Sequence, residues 1–412
     1  MRSLVALLLV VLWMVPSQAQ LSGYLSASRG YNSNPLYNYQ RIGDRVTQGY
    51  LELGYDVPFE ASRMRLAYVG GLALFDVLSE RTYYEHRLSA DYSLSGRKEE
   101  GGEGAGVVMG SDSVGSWTQL GAMAGARYDR SAFRDYDNSG VGAFAVFRSG
   151  AGSGSFTRWT GEVNYRKYTY VGELSNLAWS ATFSYVWSGA KHVDLGVEIF
   201  AGVKHYTQAA YDTAQFLAAG SGSGKSSGQG QGKKSGGLSG KSGKDLLVNA
   251  PETNSYQIAP GLTALAKWES GVIKGHVLYR INPGTGSRYL GQVAGASMLT
   301  EDLYNDYYSY TGPGLGVEFE QGLPLGLQLS LTLNGAVRSY GGPALALDGT
   351  EIASVRKDVR GEAGLTLSRS IEIAGGVGLG VQVSGELVRN QSNDTYNDYS
   401  LHGVSFSVGI GF

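Results

Sequence analysis

The chain has 412 residues, with 62 Gly, 28 Tyr, only 9 Pro, no Cys and a net charge of -2. Without Cys there are no disulfides, no Cys-type metal sites and no lipid anchor on an N-terminal Cys, and the near-zero charge gives no reason to expect a nucleic-acid partner. Gly this frequent, with few Pro and no G-X-Y period, excludes collagen.

The chain opens on MRSLVALLLVVLWMVPSQAQ. Arg2 supplies a positive start, Leu4 to Val15 an apolar run too short to span a bilayer comfortably, and Ser17 and Ala19 the small residues a signal peptidase needs. Residues 1–19 are therefore expected to be a secretory signal peptide, cut before Gln20. Beyond it no stretch approaches the ~18 consecutive apolar residues of a membrane helix, and no linker divides residues 20–412, so one domain is expected.

Alternation of apolar and polar residues marks strands near 21–31, 46–57, 62–75, 83–95, 117–128, 139–148, 155–168, 177–188, 193–206, 255–268, 271–282, 306–320, 325–338, 353–369, 373–390 and 398–412. In LAWSATFSYVW, Trp179, Phe183, Tyr185 and Trp187 share one face, while Ala178, Ser180, Thr182 and Ser184 share the other. Leu325 to Leu333 repeats the pattern, as do the odd positions from Val377 to Leu387. A soluble sandwich also alternates, but its exterior is rich in charge. Here the polar face is largely Gly, Ser and Thr, and the strands suit the roughly nine to eleven tilted residues a bilayer needs, with apolar side chains toward lipid. A sheet in hydrocarbon must close on itself, because an open edge leaves backbone groups unpaired. The sequence thus predicts an all-β, transmembrane, antiparallel up-and-down barrel of about sixteen strands. Aromatics near strand ends, Trp159, Tyr165, Tyr168, Trp179, Trp187 and Tyr399, are expected in interfacial girdles.

The connections alternate in length. VPFEAS, SGAGSG, SGAKH, ESG and QGLP are short and are assigned to the periplasmic side; 208–254 and 283–305 are long and are assigned to the outside. The segment 96–116 breaks the rule, being long on the short side. Either it is an extra periplasmic loop or a hairpin is miscounted, so fourteen or eighteen strands stay open. Within 208–254, Gly220 to Lys244 is Gly/Ser-rich with five Lys and no acid. That composition predicts a flexible, solvated coil, whose charge could also touch lipopolysaccharide phosphates. The phrases DYDNSGVGAF, DLYNDYYSY and DTYNDYSLH recur where strands re-enter from outside, and GYNSNPLYNY is a similar rim segment in the first connection. Asp and Asn start turns; the simple reading is hairpin punctuation, the sharper one a sugar or cation site at the mouth.

Parity assigns a charged inner wall. Arg63, Arg65, Glu85, Arg87 and Asp91 face inward in the first strands; Arg158, Glu162, Arg166, Asp194, Glu198 and Lys204 in the middle. Lys274, His276, Arg280, Glu318 and Arg338 follow, then Arg356, Asp358, Arg360, Glu362 and Glu386. A bulge would flip any of these assignments. No catalytic constellation accompanies them: His402 and nearby Ser405 point to opposite faces, and no G-x-S-x-G or H-E-x-x-H occurs. Gly375 to Gly385 mimics a nucleotide-binding spacing but precedes no helix. No enzyme and no cofactor is expected.

At the end of the chain Val404, Phe406, Val408, Ile410 and Phe412 alternate with Ser405, Ser407, Gly409 and Gly411. This resembles the terminal strand of bacterial outer-membrane β-barrels, porins among them. The resemblance implies an outer-membrane location in a Gram-negative cell and recognition of that strand by the barrel-assembly machinery. Two functions follow. One is a porin-like channel for passive or weakly selective passage of small polar solutes, with 283–305 as a candidate constriction loop. The other is a structural or surface-interaction barrel, part of an assembly or export system or adhesin-like, with an obstructed lumen. The solute and the oligomeric state are not legible in the sequence.

Overall fold

A computed structural model describes residues 20–37, 39–95, 116–150, 154–190, 192–207, 254–283, 307–347, 350–374 and 376–412. The expected signal peptide and nearly all of the connections 96–116, 208–254 and 283–305 lie outside the described residues.

The described chain is a closed antiparallel barrel of sixteen strands, each paired with its sequence neighbours and β1 with β16. In order they are β1 (Gln20–Asn32), β2 (Asp44–Pro58), β3 (Ser62–Phe75), β4 (Tyr83–Ser95), β5 (Trp117–Asp129), β6 (Asn138–Gly150), β7 (Phe156–Tyr168) and β8 (Asn176–Ala190). There follow β9 (Val193–Tyr206), β10 (Asn254–Trp268), β11 (Gly271–Arg280), β12 (Tyr310–Leu323), β13 (Leu327–Leu345), β14 (Glu351–Ala374), β15 (Val377–Ser392) and β16 (Tyr399–Gly411). Ser95 of β4 pairs directly with Trp117 of β5, so no barrel strand stands between them. Sixteen, not fourteen or eighteen, is the count. The two longest strands, β13 and β14, run past their expected ends at 338 and 369, with register shifts near Pro343 where the missing N–H breaks the ladder.

Register fixes the faces. Trp159 lies opposite Phe183, which lies opposite Ile199; Leu262 lies opposite both Val197 and Val277. These residues belong to the outer face. Trp179 is 59% exposed, Leu262 57% and Leu387 60%, values that water would penalise and hydrocarbon would not. A strand of thirteen residues, rising about 3.3 Å each and tilted by about 40°, crosses roughly 33 Å, close to the hydrocarbon thickness. Closure leaves no strand edge in that layer.

One end of the barrel carries the short turns. At the other, which carries the two long connections, short 3-10 helices at 79–81, 131–136, 172–174 and 395–397 cap the strands. Two of them end in the same device. The Asn138 side-chain amide donates to the Tyr136 carbonyl and that of Asn176 to the Leu174 carbonyl, both at 2.8 Å. Just before each Asn, Asp137 accepts from the Asp129 backbone and Ser175 from the Tyr168 backbone, at 2.6 and 3.0 Å. Asp44 does similar work for the β3–β4 connection, accepting from the N–H groups of Asp76, Val77 and Leu78. In the phrases that begin at Asp135 and Asp394, the Asp and Asn side chains make such hairpin punctuation, while the start of the one at Asp302 lies outside the described residues.

At this end of the barrel several tyrosines turn inward, although Tyr31 stays exposed on the outer face. Tyr136, Tyr168, Tyr310, Tyr340 and Tyr399 are buried, and the strand registers put Tyr168 and Tyr399 on the inner face. The girdle expectation therefore holds for the exposed Trp159, Tyr165, Trp179 and Trp187 and fails for Tyr168 and Tyr399. The Tyr399 ring meets Tyr37 of the β1–β2 connection, and Tyr310 and Tyr340 meet each other.

Candidate functional site

The inner face of the barrel is the candidate site. All the charged residues expected on the wall fall on that face. Arg63 and Arg65 pair with Asp56 and Glu52 at 2.7 and 3.1 Å, and Asp91 accepts from Gln119 at 3.1 Å. Glu85 lies opposite Arg127, and Arg87 opposite Gly125. In the middle of the chain, Arg158 lies opposite Ser184, which donates to Glu198 at 3.2 Å; Glu162 accepts from the Asn164 amide. Arg166 faces Asn176, and Lys204 lies against Tyr206 and Tyr308. Lys274 pairs with Glu318 at 3.3 Å, and Arg280 donates to Gln257 at 3.0 Å.

The densest network sits on β13 to β16 at the long-loop end. Arg356 donates to Asp358 at 3.0 Å, and Asp358 also accepts from Ser392 and Asn390 at 2.6 and 3.2 Å. Arg356 stacks 4.0 Å over Tyr340, and Arg338 4.8 Å over Tyr310. Arg360 pairs with Glu362 and donates to the Tyr399 hydroxyl. Glu386, at an inward position of β15, lies close to both. The result is a collar in which each guanidinium is held by a carboxylate, a ring or both.

Into this collar comes the β1–β2 connection. Asn34 and Leu36 are buried, and the Asn34 amide donates to the Ser400 carbonyl at 3.2 Å. Tyr37 adopts a positive φ of 48°. Its ring meets Tyr399 edge-on at 6.0 Å and packs on Val388 and Leu401 of the inner wall. Burial, reinforced by Glu386, pushes the Tyr37 hydroxyl well above the ordinary tyrosine value, so it stays neutral. The sequence marked Gly30 to Tyr39 only as a rim segment. The expected constriction loop, 283–305, lies outside the described residues; the described segment that narrows the lumen is 33–37.

Parity missed several inner residues, notably Arg127, Asp129 and Arg148. Arg127 and Asp129 form a fully buried pair at 2.7 Å. On β5 the residues of both faces are small, LGAMAGA, so alternation could not say which side was inner. On β6 the bulky Phe144 and Val146 turn inward while Ala143 and Ala145 face out, inverting the usual pattern. His276 is inward, whereas His86 and His402 are outward. Ser405 is on the inner face, so His402 and Ser405 make no catalytic pair. Among the described residues no group of three or more His, Asp or Glu side chains could hold a metal ion.

A closed barrel with an apolar exterior and a charged, hydrogen-bonded interior is a transmembrane β-barrel. Its fold is similar to solved structures from Pseudomonas aeruginosa. OccK8 (OprE) is 10% identical over 97% of this chain and 99% of its own, with a TM-score of 0.49. OpdK is 11% identical over 95% and 99%, with a TM-score of 0.46. OprD is 9% identical over 97% and 96%, with a TM-score of 0.45. No family model matches the chain, and neither does any curated protein.

Proposed function

We propose that the chain is an outer-membrane channel for passive or weakly selective passage of small polar solutes. The observation that carries this reading is the contrast between the two faces of one closed sheet. The outer face exposes Leu, Val, Ile and Trp to lipid. The inner face alternates Arg, Lys, Asp and Glu through the length of the barrel. Sixteen strands enclose a lumen wide enough for water, and opposed charges on its wall set the preference for ions and solutes.

The companion proposals concern biogenesis and surroundings. Residues 1–19 direct export and are removed, so the mature protein begins at Gln20; N-terminal sequencing of the membrane-inserted form tests this. Val404 to Phe412 present the strand that the assembly machinery reads. The short turns face the periplasm, and the long connections, including the Lys-rich 208–254, meet lipopolysaccharide.

Single-channel recording of the refolded protein in a planar bilayer tests the function. Stable steps of nanosiemens scale are expected, with selectivity shifted by charge reversal at Glu362. Silence from barrels shown to be folded by heat-modifiable gel migration would overturn the channel. It would favour the interaction barrel, for which the packing of Tyr37 inside the collar is the supporting observation.

A further inference from the structure

The outer face is apolar through its middle, but at the long-connection end it turns basic along one arc. Lys357 of β14, Arg389 of β15, His402 of β16, Arg29 of β1 and Arg45 of β2 sit at outward positions, one on each of five consecutive strands across the closing seam. Their side follows from neighbours of the same parity: Val359, Leu387 and Val404 are 53%, 60% and 56% exposed. The rest of this end differs. From β4 to β13, Lys167 is the one outward Lys or Arg within the described strands. Tyrosines such as Tyr128, Tyr165, Tyr256 and Tyr279 stand near the strand ends there instead.

Two carboxylates reach the arc. Asp76 pairs with Arg29 at 2.7 Å and Asp398 with Arg389 at 2.8 Å, yet the Arg29 side chain stays 59% exposed and that of Arg389 43%. Arg45 and Lys357 are exposed, and neither forms an ion pair among the described residues. Four permanent cations against two carboxylates leave an excess of positive charge on this side of the barrel. Tyr31 lies between Arg45 and Val404 in the ladder, its ring 6.1 Å from that of His402. Toward the short-turn end the wall is apolar again, with Leu387, Val404 and Phe406 exposed. Below Arg29, Ala27 and Gly49 are direct partners with Val408 and Leu72 on either side, so small residues leave a furrow in that wall. Cations above a hydrocarbon-like furrow match a lipid whose headgroup carries phosphate. At about 4.8 Å per strand the arc is roughly 19 Å wide, enough for a headgroup with more than one phosphate.

We propose that Lys357, Arg389, Arg29 and Arg45, with Tyr31 and His402 between them, form an outward-facing site for the phosphorylated headgroup of lipopolysaccharide, whose acyl chains lie along Val404, Phe406 and the Ala27–Gly49 furrow. The proposal rests on the orientation proposed above, with the long connections outside, and not on an open pore. It places the lipid on the barrel wall itself rather than on the loops. A phosphate monoester carries about -1.5 to -2 charges near neutral pH, so it answers the excess of cations better than the single charge of a phospholipid diester does.

The test reads binding without current, so a silent pore does not touch it. Folded wild type, Arg45→Gln/Lys357→Gln and Lys167→Gln are titrated in detergent with rough lipopolysaccharide, with the same lipid after phosphatase treatment, and with phosphatidylglycerol. Bound lipid is counted by native mass spectrometry. Wild type is expected to hold lipopolysaccharide, and loss of two basic side chains to weaken it at least about tenfold. Removing the lipid phosphates should weaken it by a similar factor. Lys167→Gln, which removes an outward cation away from the arc, should match wild type. The proposal is overturned by no retention on wild type, by equal retention on wild type and Arg45→Gln/Lys357→Gln, by an equal loss in Lys167→Gln, or by phosphatidylglycerol binding as tightly as lipopolysaccharide. If heat-modifiable migration shows the double variant unfolded, Lys357→Gln alone is titrated; a weakening of about fivefold is expected, and equality with wild type overturns the site. Orientation is read separately, by labelling Ser235→Cys on intact cells with a membrane-impermeant thiol reagent. Labelling only after lysis would overturn the orientation, and with it this choice of lipid, whatever the channel does.

Discussion

Gly23 and Phe412 meet where the barrel closes. Each donates its backbone N–H to the other's carbonyl at 2.9 Å, the outermost rung of the β1–β16 ladder. A Cβ at position 23 would run into the tip of the Phe412 ring, which would have to turn aside. Gly23→Leu is expected to cost at most about 1 kcal/mol, because the exposed Phe412 ring can move aside, seen as a slightly lower urea midpoint of the folded barrel in detergent. Asp358 is the corresponding position inside the collar. Its carboxylate is fully buried and accepts from Arg356, Ser392 and Asn390. Asp358→Ala leaves a buried guanidinium without its counterion, which costs about 3–5 kcal/mol. The same urea titration should show that loss, with Ser392→Ala costing much less because only one neutral donor is removed. The apolar stripe ending at Phe412 was plain in the sequence. The role of Gly23 was not, because closure brings together residues at opposite ends of the chain and local pattern carries no trace of that contact.

Strands were legible where one face was bulky and the other small. In β8 and β13 the alternation of Trp, Phe and Leu with Ser, Thr and Gly set both the element and its inner side. It failed in β5, whose LGAMAGA run gives little contrast between faces, and in β6, where Phe144 and Val146 turn inward against Ala143 and Ala145, and Arg127 and Arg148 went unassigned with them. The girdle assignment also failed at the mouth. Tyr168 and Tyr399 have interfacial chemistry, but strand register puts them on the inner face, the side that parity with Arg166 and Ser405 already implied. Residues 33–37 reach the inner wall through Asn34 and Tyr37, which makes them the narrowing element among the described residues. Tyr37→Ala removes the ring that packs on Val388 and Leu401, so single-channel conductance should rise, whereas Tyr39→Ala, whose ring contacts Tyr396 instead, should leave it close to wild type. The raised Tyr37 hydroxyl gives this element a pH signature. A group whose folded value lies above its unfolded one contributes stability that is complete below the unfolded value, here 10.0, and is lost as pH climbs toward the folded value. Conductance limited by this segment should be flat through neutral pH and increase only in alkali.

A closed barrel gives every strand two solvents, and adjacent residues of one strand can be used to measure them. Leu262 and Thr263 stand near the middle of β10. Leu262 lies against Val197 and Val277 on the outer face, and Thr263 against Gly196 and His276 on the inner face. The peptide bond that joins them sits in the same ladder, so local propensity is nearly shared by the two sites. Leu262→Arg puts a guanidinium into hydrocarbon near the bilayer midplane, where it costs about 2–4 kcal/mol. Thr263→Arg puts the same group into a lumen already lined with Lys274, Glu318 and Glu198, where water and carboxylates solvate it. Folding into lipid vesicles should therefore be strongly impaired by Leu262→Arg and nearly unchanged by Thr263→Arg. The channel properties should respond in the opposite sense. Thr263→Arg should move ion selectivity toward anions by adding a cation to the wall, while any Leu262→Arg barrel that folds should conduct as wild type does. Equal stability of the two variants would mean that water reaches both faces of β10, and the chain would then be a soluble barrel despite its apolar exterior.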